Sequence, residues 1–167
     1  MIRVLALDPG WTTTTQAEHE SLNRFSELGL RVRLACTHFR SATDLRPPRV
    51  AVTAAVDDRS VVDREPGLED LLADHVTGRS GRAFVVPGVE TLDRIVTAGT
   101  LVSTTRVDDV IALGGAAVPD SARIDTQDHV RPEFIAGRLV LRVRPALGDL
   151  LVPFEQPHPT PCCADHR

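Results

Sequence analysis

The sequence predicts an α/β fold with a mainly parallel sheet, flanking helices and a C-terminal antiparallel β-meander. Three observations indicate this class. A strand–helix–strand pattern fills the first 38 residues, further segments with helical spacing follow, and the last part alternates apolar residues with arginines. Strands that alternate with helices usually pair in parallel, because each helix returns the chain to the same sheet edge. We therefore expect one α/β domain over residues 1–156, followed by a Pro-, Cys- and His-rich segment over 157–167.

The composition is that of an ordinary globular domain. The 167 residues are 42% apolar and 25% charged, which fits one domain with a core of its own. No stretch reaches the ~20 apolar residues that a membrane helix needs, and the first eight residues lack a signal peptide's charge and length. We expect a soluble, cytoplasmic protein with no membrane association. The net charge of −4 predicts no nucleic-acid partner, and it leaves a small-molecule ligand or protein partner unidentified.

The first 38 residues predict a βαβ unit. Residues 2–8 form an apolar run, and Thr15 with Glu18 makes a capping box for a helix from about residue 16. Gly29 is a suitable residue to end that helix, and 30–38 alternates with the period of a strand. The crossover should be right-handed, with the carboxyl ends of both strands at one edge of the sheet.

The remaining elements follow from spacing and turn signals. Helical spacing over 66–77 is closed by Gly78, and two later apolar stripes also match a helix. Arginines that alternate with leucine and valine predict a half-exposed antiparallel strand near the end. The predicted elements are a strand over 49–56, helices over 66–77, 89–98 and 105–113, and strands over 83–86, 138–144 and 150–154.

The C-terminal segment carries the densest group of candidate metal ligands. His158, Cys162, Cys163 and His166 form the pattern H-x3-C-C-x2-H. Thiolate and imidazole are the ligands that zinc prefers, and Cu(I) also accepts thiolates. The adjacent cysteines can alternatively serve as a thiol redox pair. A third interpretation is a frayed terminus in which these residues have no role.

Cys36 and His38 are further metal-ligand candidates. They are two residues apart in a predicted strand, so they lie on the same face, near the end where parallel sheets bind ligands. If the C-terminal segment folds over that end, six candidate ligands converge. The alternative is that Cys36 is a small core residue, since neighbouring apolar residues share its face.

The loop after the first strand is a candidate anion site. Asp8, Gly10, Thr12 and Thr13 lie between a strand and a helix N-terminus, where backbone N–H groups can hold a phosphate or carboxylate. Asp8 can also bind a divalent cation or act as a base. The loop has neither G-x-G-x-x-G nor a Walker lysine, and a plain Thr-rich helix cap explains it equally.

These observations lead to three functional hypotheses. The first is a metal-binding or thiol-redox protein that uses the C-terminal segment, with zinc as the expected cofactor and Cu(I) as the alternative. The second is a small Rossmann-like enzyme that binds an anionic or phosphorylated ligand at the first β–α loop. The third is a protein-interaction module without chemistry. No substrate or reaction follows from the residues alone.

Overall fold

The structure is a computed structural model that describes residues 2–43, 46–57 and 67–155. Its elements, in chain order, are β1 (Ile2–Trp11), α1 (Thr14–Glu27), β2 (Val32–Arg40), β3 (Arg49–Asp57), α2 (Glu69–Thr77), β4 (Arg82–Val85), a 3-10 turn (Val89–Thr91), β5 (Ile95–Thr97), α3 (Ala98–Thr104), β6 (Asp109–Ala112), β7 (Arg123–Asp125), β8 (Glu133–Ile135), β9 (Arg138–Pro145) and β10 (Leu150–Pro153).

The sheet is mainly antiparallel, so the predicted mainly parallel α/β fold is wrong. Its ten strands run in the order β1-β3-β2-β4-β8-β9-β10-β7-β5, with β6 pairing β9 beside this path. In the described part of the chain only two strand pairs are parallel, β6 with β9 and β7 with β10. The predicted C-terminal meander is present, because β8, β9 and β10 pair antiparallel in succession.

Two misassigned helices account for much of this error. The segment predicted as a helix over 89–98 forms a 3-10 turn and strand β5, and the segment over 105–113 contains strand β6. Val107, Val110 and Ile111 match helical spacing, but β-branched side chains also suit a strand. Pairing with β9 makes this segment a strand, because it buries Val110 against the core.

The first strand–helix–strand unit exists, but a third strand divides it. β1 and β2 are each antiparallel to β3, so they run in the same direction with β3 between them. The second unit, β3-α2-β4, is divided in the same way by β2. Asp8 and His38 therefore lie towards the same end of the sheet, as predicted, although their strands share no hydrogen bonds.

Helices α1 and α2 cover opposite faces of the first four strands. Alternation along β1 and β3 sends successive side chains to the two faces, which separates two apolar clusters. The cluster under α1 includes Leu5, Leu7, Phe25, Val52 and Val56. The smaller cluster under α2 contains Ala6, Ala51, Leu68 and Leu71. Because α2 has only nine residues, it leaves part of its face of the sheet open.

The second half of the sheet has its own core. Side chains from β6, β7, β9 and α3 are almost fully buried there, among them Leu101, Ile124, Leu139, Leu141 and Val143.

None of the helices in the described ranges has the length and apolarity that crossing a membrane requires.

Candidate functional site

A cavity of about 640 Å³ opens on the α2 face of the sheet. Its floor comes from the ends of β2 and β3, one wall from α2, and the other from the segment that joins α2 to β4 and from β8. Polar and charged side chains dominate the lining, including His38, Arg40, Arg49, Asp74, Ser80 and Glu133. The cavity is therefore suited to a polar ligand.

A buried ion pair forms one end of the cavity. Arg40 on β2 and Arg49 on β3 are directly opposite each other. Both side chains approach the carboxylate of Asp8, which lies on β1. The Arg49 Nε donates to both Asp8 carboxylate oxygens at 2.8 Å, and the Arg40 Nε lies 3.5 Å from Oδ2. The side chain of Asp8 is 1% exposed and that of Arg49 is 8% exposed. Arg40 Nη1 also lies 3.4 Å from the Asp70 carboxylate, so two arginines and two aspartates balance in charge here. The guanidinium groups give this end of the cavity a fixed set of hydrogen-bond donors.

The Arg49 guanidinium keeps an unused donor. Its Nη1 atom is buried and has no hydrogen-bond partner in the described structure. A buried donor without an acceptor is unfavourable by roughly 1–3 kcal/mol, and more when it carries charge. Because Nη1 is itself enclosed, an anionic group in the cavity would become its acceptor only after a neighbouring side chain moves aside.

A chain of hydrogen bonds runs from the cavity into the protein interior. The Ser80 Oγ donates to Asp74 Oδ2 at 2.7 Å and lies 3.5 Å from His38 Nδ1. On the other side of the ring, His38 Nε2 is 2.7 Å from Thr53 Oγ1, which is 2.7 Å from His75 Nδ1. Five side chains from four separate segments thus form one connected network.

The direction of these bonds follows from the number of protons. Ser80 gives its only hydroxyl proton to Asp74, so at the longer contact His38 Nδ1–H is the donor and Ser80 Oγ the acceptor. A neutral His38 then accepts at Nε2 from the Thr53 hydroxyl, and Thr53 accepts from His75 Nδ1–H. Every group in the chain is satisfied while both imidazoles remain neutral.

Burial keeps both histidines neutral at pH 7. Removal from water lowers the pKa of His38 to about 4, although Asp74 and Asp70 oppose the shift. Burial, with a smaller contribution from the charge of His38, likewise lowers the pKa of His75 to about 4. The ring of His75 also packs edge-on against Phe134, with centroids 6.3 Å apart.

Gly81 makes room for the His38 ring. Its φ of +126° lies where L side chains are strained, and a Cβ there would stand 2.8 Å from His38 Cε1 and 3.1 Å from Cys36 Cβ. Backbone strain and overpacking each cost about 1–3 kcal/mol. Glycine is therefore the residue that this part of the cavity floor requires.

The substitution Gly81→Ala should lower the free energy of unfolding by about 2–3 kcal/mol, because strain and displacement of His38 combine. Urea denaturation of the two proteins measures this. Gly115→Ala is the matched control, since Gly115 also has a positive φ, +88°, but a Cβ there meets nothing within 4 Å. If both variants lose the same free energy of unfolding, the loss comes from the positive φ alone and the contact with His38 contributes nothing to it.

The structure places Cys36 and His38 on one face, as predicted, but in different surroundings. Cys36 is completely buried, and burial raises the pKa of its thiol to about 12, so the thiol is protonated at neutral pH. His38 is engaged in the hydrogen-bond chain. Within the described ranges, no three histidine, cysteine, aspartate or glutamate residues are grouped as a metal site would need.

The first β–α loop is shorter than the sequence suggests. β1 continues through a bulge to Trp11, so Asp8 and Gly10 belong to the strand. The Thr13 Oγ1 accepts the Gln16 N–H and caps α1, two residues before the predicted cap, and Thr12 is exposed. Asp8 and Gly10 line a smaller cavity of about 320 Å³ that also borders on Arg49.

The other predicted ligands, His158, Cys162, Cys163 and His166, lie outside the described residues. Their role as a metal or redox site stays a prediction.

Sequence reasoning missed most of the residues that line the cavity. Arg40, Arg49 and Ser80 line the cavity and belong to no motif. The same holds for Thr53 and His75, which belong to the hydrogen-bond chain. Arg49 is the first residue of a strand whose other residues are nearly all small or apolar. That pattern could have predicted that the charge of Arg49 is buried. Its partner Asp8 is 41 residues away in the chain, so spacing could not identify the pair.

Comparison of the chain with models of protein families, with curated proteins and with solved structures finds no significant match.

Proposed function

We propose that the protein binds a small anionic compound, one that carries a phosphate or carboxylate group, in the cavity on the α2 face. The observation that carries this proposal is the buried Nη1 donor of Arg49, which has no acceptor in the described structure. Folding removes this charged donor from water without replacing its hydrogen bond. A ligand anion is the chemical group that corrects the deficit.

The surroundings of Arg49 support the same ligand class. Arg40 lies beside it, and a pair of guanidinium groups is a favourable arrangement for phosphate or carboxylate oxygens. The cavity volume of about 640 Å³ is within the range of ordinary small-molecule sites. Ser80 adds a neutral hydroxyl beside these arginines, and its oxygen can accept one further hydrogen bond.

Arg49→Lys should weaken binding of inorganic phosphate about tenfold, because lysine keeps a cation against Asp8 but removes the guanidinium donor. Isothermal titration calorimetry with phosphate measures the change. Arg33→Lys is the matched control, since Arg33 pairs with Asp57 in an exposed ion pair outside the cavity lining. Absence of phosphate binding to the unaltered protein, or equal affinity of the two variants, would contradict the proposal.

A second function is proposed for the C-terminal segment, metal binding or thiol redox chemistry. The observation in its favour is the sequence H-x3-C-C-x2-H, which brings four soft or borderline ligands into nine residues. Zinc is the expected metal and Cu(I) the alternative. This function is independent of the cavity, because it needs none of the residues that line it.

If the segment binds zinc, Cys162→Ser or Cys163→Ser should reduce metal affinity at least tenfold, since thiolates are the softest ligands in the pattern. His19→Ala, on the exposed side of α1, is the control. Competition with a chromogenic chelator at two pH values measures the affinities, which should fall at lower pH as protons compete for the ligands. A reversible two-electron couple without metal would instead support the redox alternative, and identical metal content in all variants would exclude a metal role.

A further inference from the structure

The cavity has two chemically different ends. Arg40 and Arg49, paired with Asp8 and Asp70, form the end that offers guanidinium donors. Phe134, on β8, forms the opposite end, and its ring is held edge-on against His75. A ligand that fills the whole cavity therefore meets two guanidinium groups at one end and, next to Arg82 and Glu133, an aromatic ring at the other.

Strand register fixes the order of the groups between these ends. Thr37 pairs with Arg82, and Arg82 pairs with Glu133, so β2, β4 and β8 are aligned in one row. One residue further along, the row contains His38, Gly81 and Phe134, and the Phe134 N–H donates to the Gly81 carbonyl at 2.9 Å. Arg40 lies two residues beyond His38 on the same face of β2.

These positions give the separation of the two ends. Two strand spacings of ~4.8 Å and two residue steps of ~3.4 Å place Phe134 about 12 Å from Arg40, measured between Cα atoms. Gly81 lies between them, and the His38 ring fills the space that a side chain at Gly81 would take. The His38 ring therefore forms the cavity floor between the two ends.

We infer that the ligand is an aromatic anion, with its phosphate or carboxylate at Arg40 and Arg49 and its ring beside Phe134, above the floor that His38 forms. This inference rests on the proposed function, since it specifies the ligand of the same cavity. Nucleoside monophosphates and simple aryl phosphates share this chemistry. The ring gains apolar and edge-on aromatic contacts that inorganic phosphate cannot make.

The test compares inorganic phosphate, phenyl phosphate, adenosine monophosphate and adenosine by calorimetry on the full chain. We expect at least one aromatic phosphate to bind about tenfold tighter than inorganic phosphate, and adenosine without phosphate to bind more weakly. The better of the two aromatic phosphates distinguishes a nucleotide from a smaller aryl phosphate. Equal affinity of all three phosphates would overturn the inference while leaving the proposed function intact, whereas no binding by any phosphate would overturn both.

Phe134→Leu locates the ring, since leucine keeps most of the apolar volume. This variant should lose most of the aromatic advantage and keep its affinity for inorganic phosphate, which also shows that the cavity is folded. Phe154→Leu is the control, because Phe154 is half exposed and lies outside this cavity. An aromatic advantage that survives Phe134→Leu unchanged would overturn the placement of the ring at β8.

Discussion

Lowering the pH from 7 to 5 should reduce the free energy of unfolding by about 4 kcal/mol, or about 2 kcal/mol for each of His38 and His75. Both histidines have a pKa near 4 in the folded protein and an ordinary value near 6.5 when unfolded. Below pH 6.5 the unfolded chain therefore binds protons that the folded chain does not. The contribution of the two neutral histidines to the free energy of unfolding is therefore present above pH 6.5, and it falls continuously as the pH approaches 4.

Urea denaturation at pH 7, 6 and 5 measures this slope. His75→Gln should remove about half of it, because glutamine still offers a hydrogen bond to Thr53 but does not titrate. His19→Gln is the control for the slope, since His19 is exposed on α1 and its ring bonds to the exposed Asn23 side chain. A slope that is the same in the unaltered protein and in His75→Gln would show that this histidine is not buried in its neutral form.

Asp8→Asn should destabilise the protein by about 3–5 kcal/mol, which is the usual cost of leaving one member of a buried ion pair uncompensated. Asparagine keeps the shape of the side chain but removes the charge opposite Arg49. The Arg49 guanidinium, already short of one acceptor, would then lose its principal anionic partner in the interior. Thermal and urea denaturation at pH 7 measure the loss.

Asp57→Asn is the matched control for this experiment. Asp57 also pairs with an arginine across neighbouring strands, Arg33, but both side chains are substantially exposed. Water screens that pair, so its removal should change stability little. Added phosphate should raise the melting temperature of the unaltered protein more than that of Asp8→Asn if the pair orients Arg49 for an anion. Equal effects of Asp8→Asn and Asp57→Asn would contradict the importance of burial.

Local patterns predicted several elements because their signals are strong over short distances. The strand over 49–56, the helix that ends at Gly78 and the C-terminal meander all occur in the structure. Gly78 adopts the left-handed conformation expected of a helix-ending glycine. The segment over 105–113 failed because Val107, Val110 and Ile111 satisfy both helical and strand patterns. Only the presence of β9 as a neighbour selects the strand.

The candidate site was predictable in part. The sequence identified Asp8 and His38 as residues of interest at one end of the sheet, and the structure places both beside Arg40. It assigned them to different sites, an anion loop and a metal cluster. The structure instead separates their strands by β3, and Arg49 on β3 joins Asp8 to this end of the cavity, a connection that no pattern in β1 or β2 indicates.

The sequence by itself determined several of the local elements, because capping residues, turn glycines and side-chain alternation act within a few residues. Only the tertiary structure decided that β3 lies between β1 and β2, since strand order depends on contacts between distant segments. That insertion brings Arg49 to Asp8 and Thr53 to both His38 and His75. The cavity, its buried charge and its neutral histidines exist because antiparallel pairing stacks these residues on one face, and no local pattern encodes that arrangement.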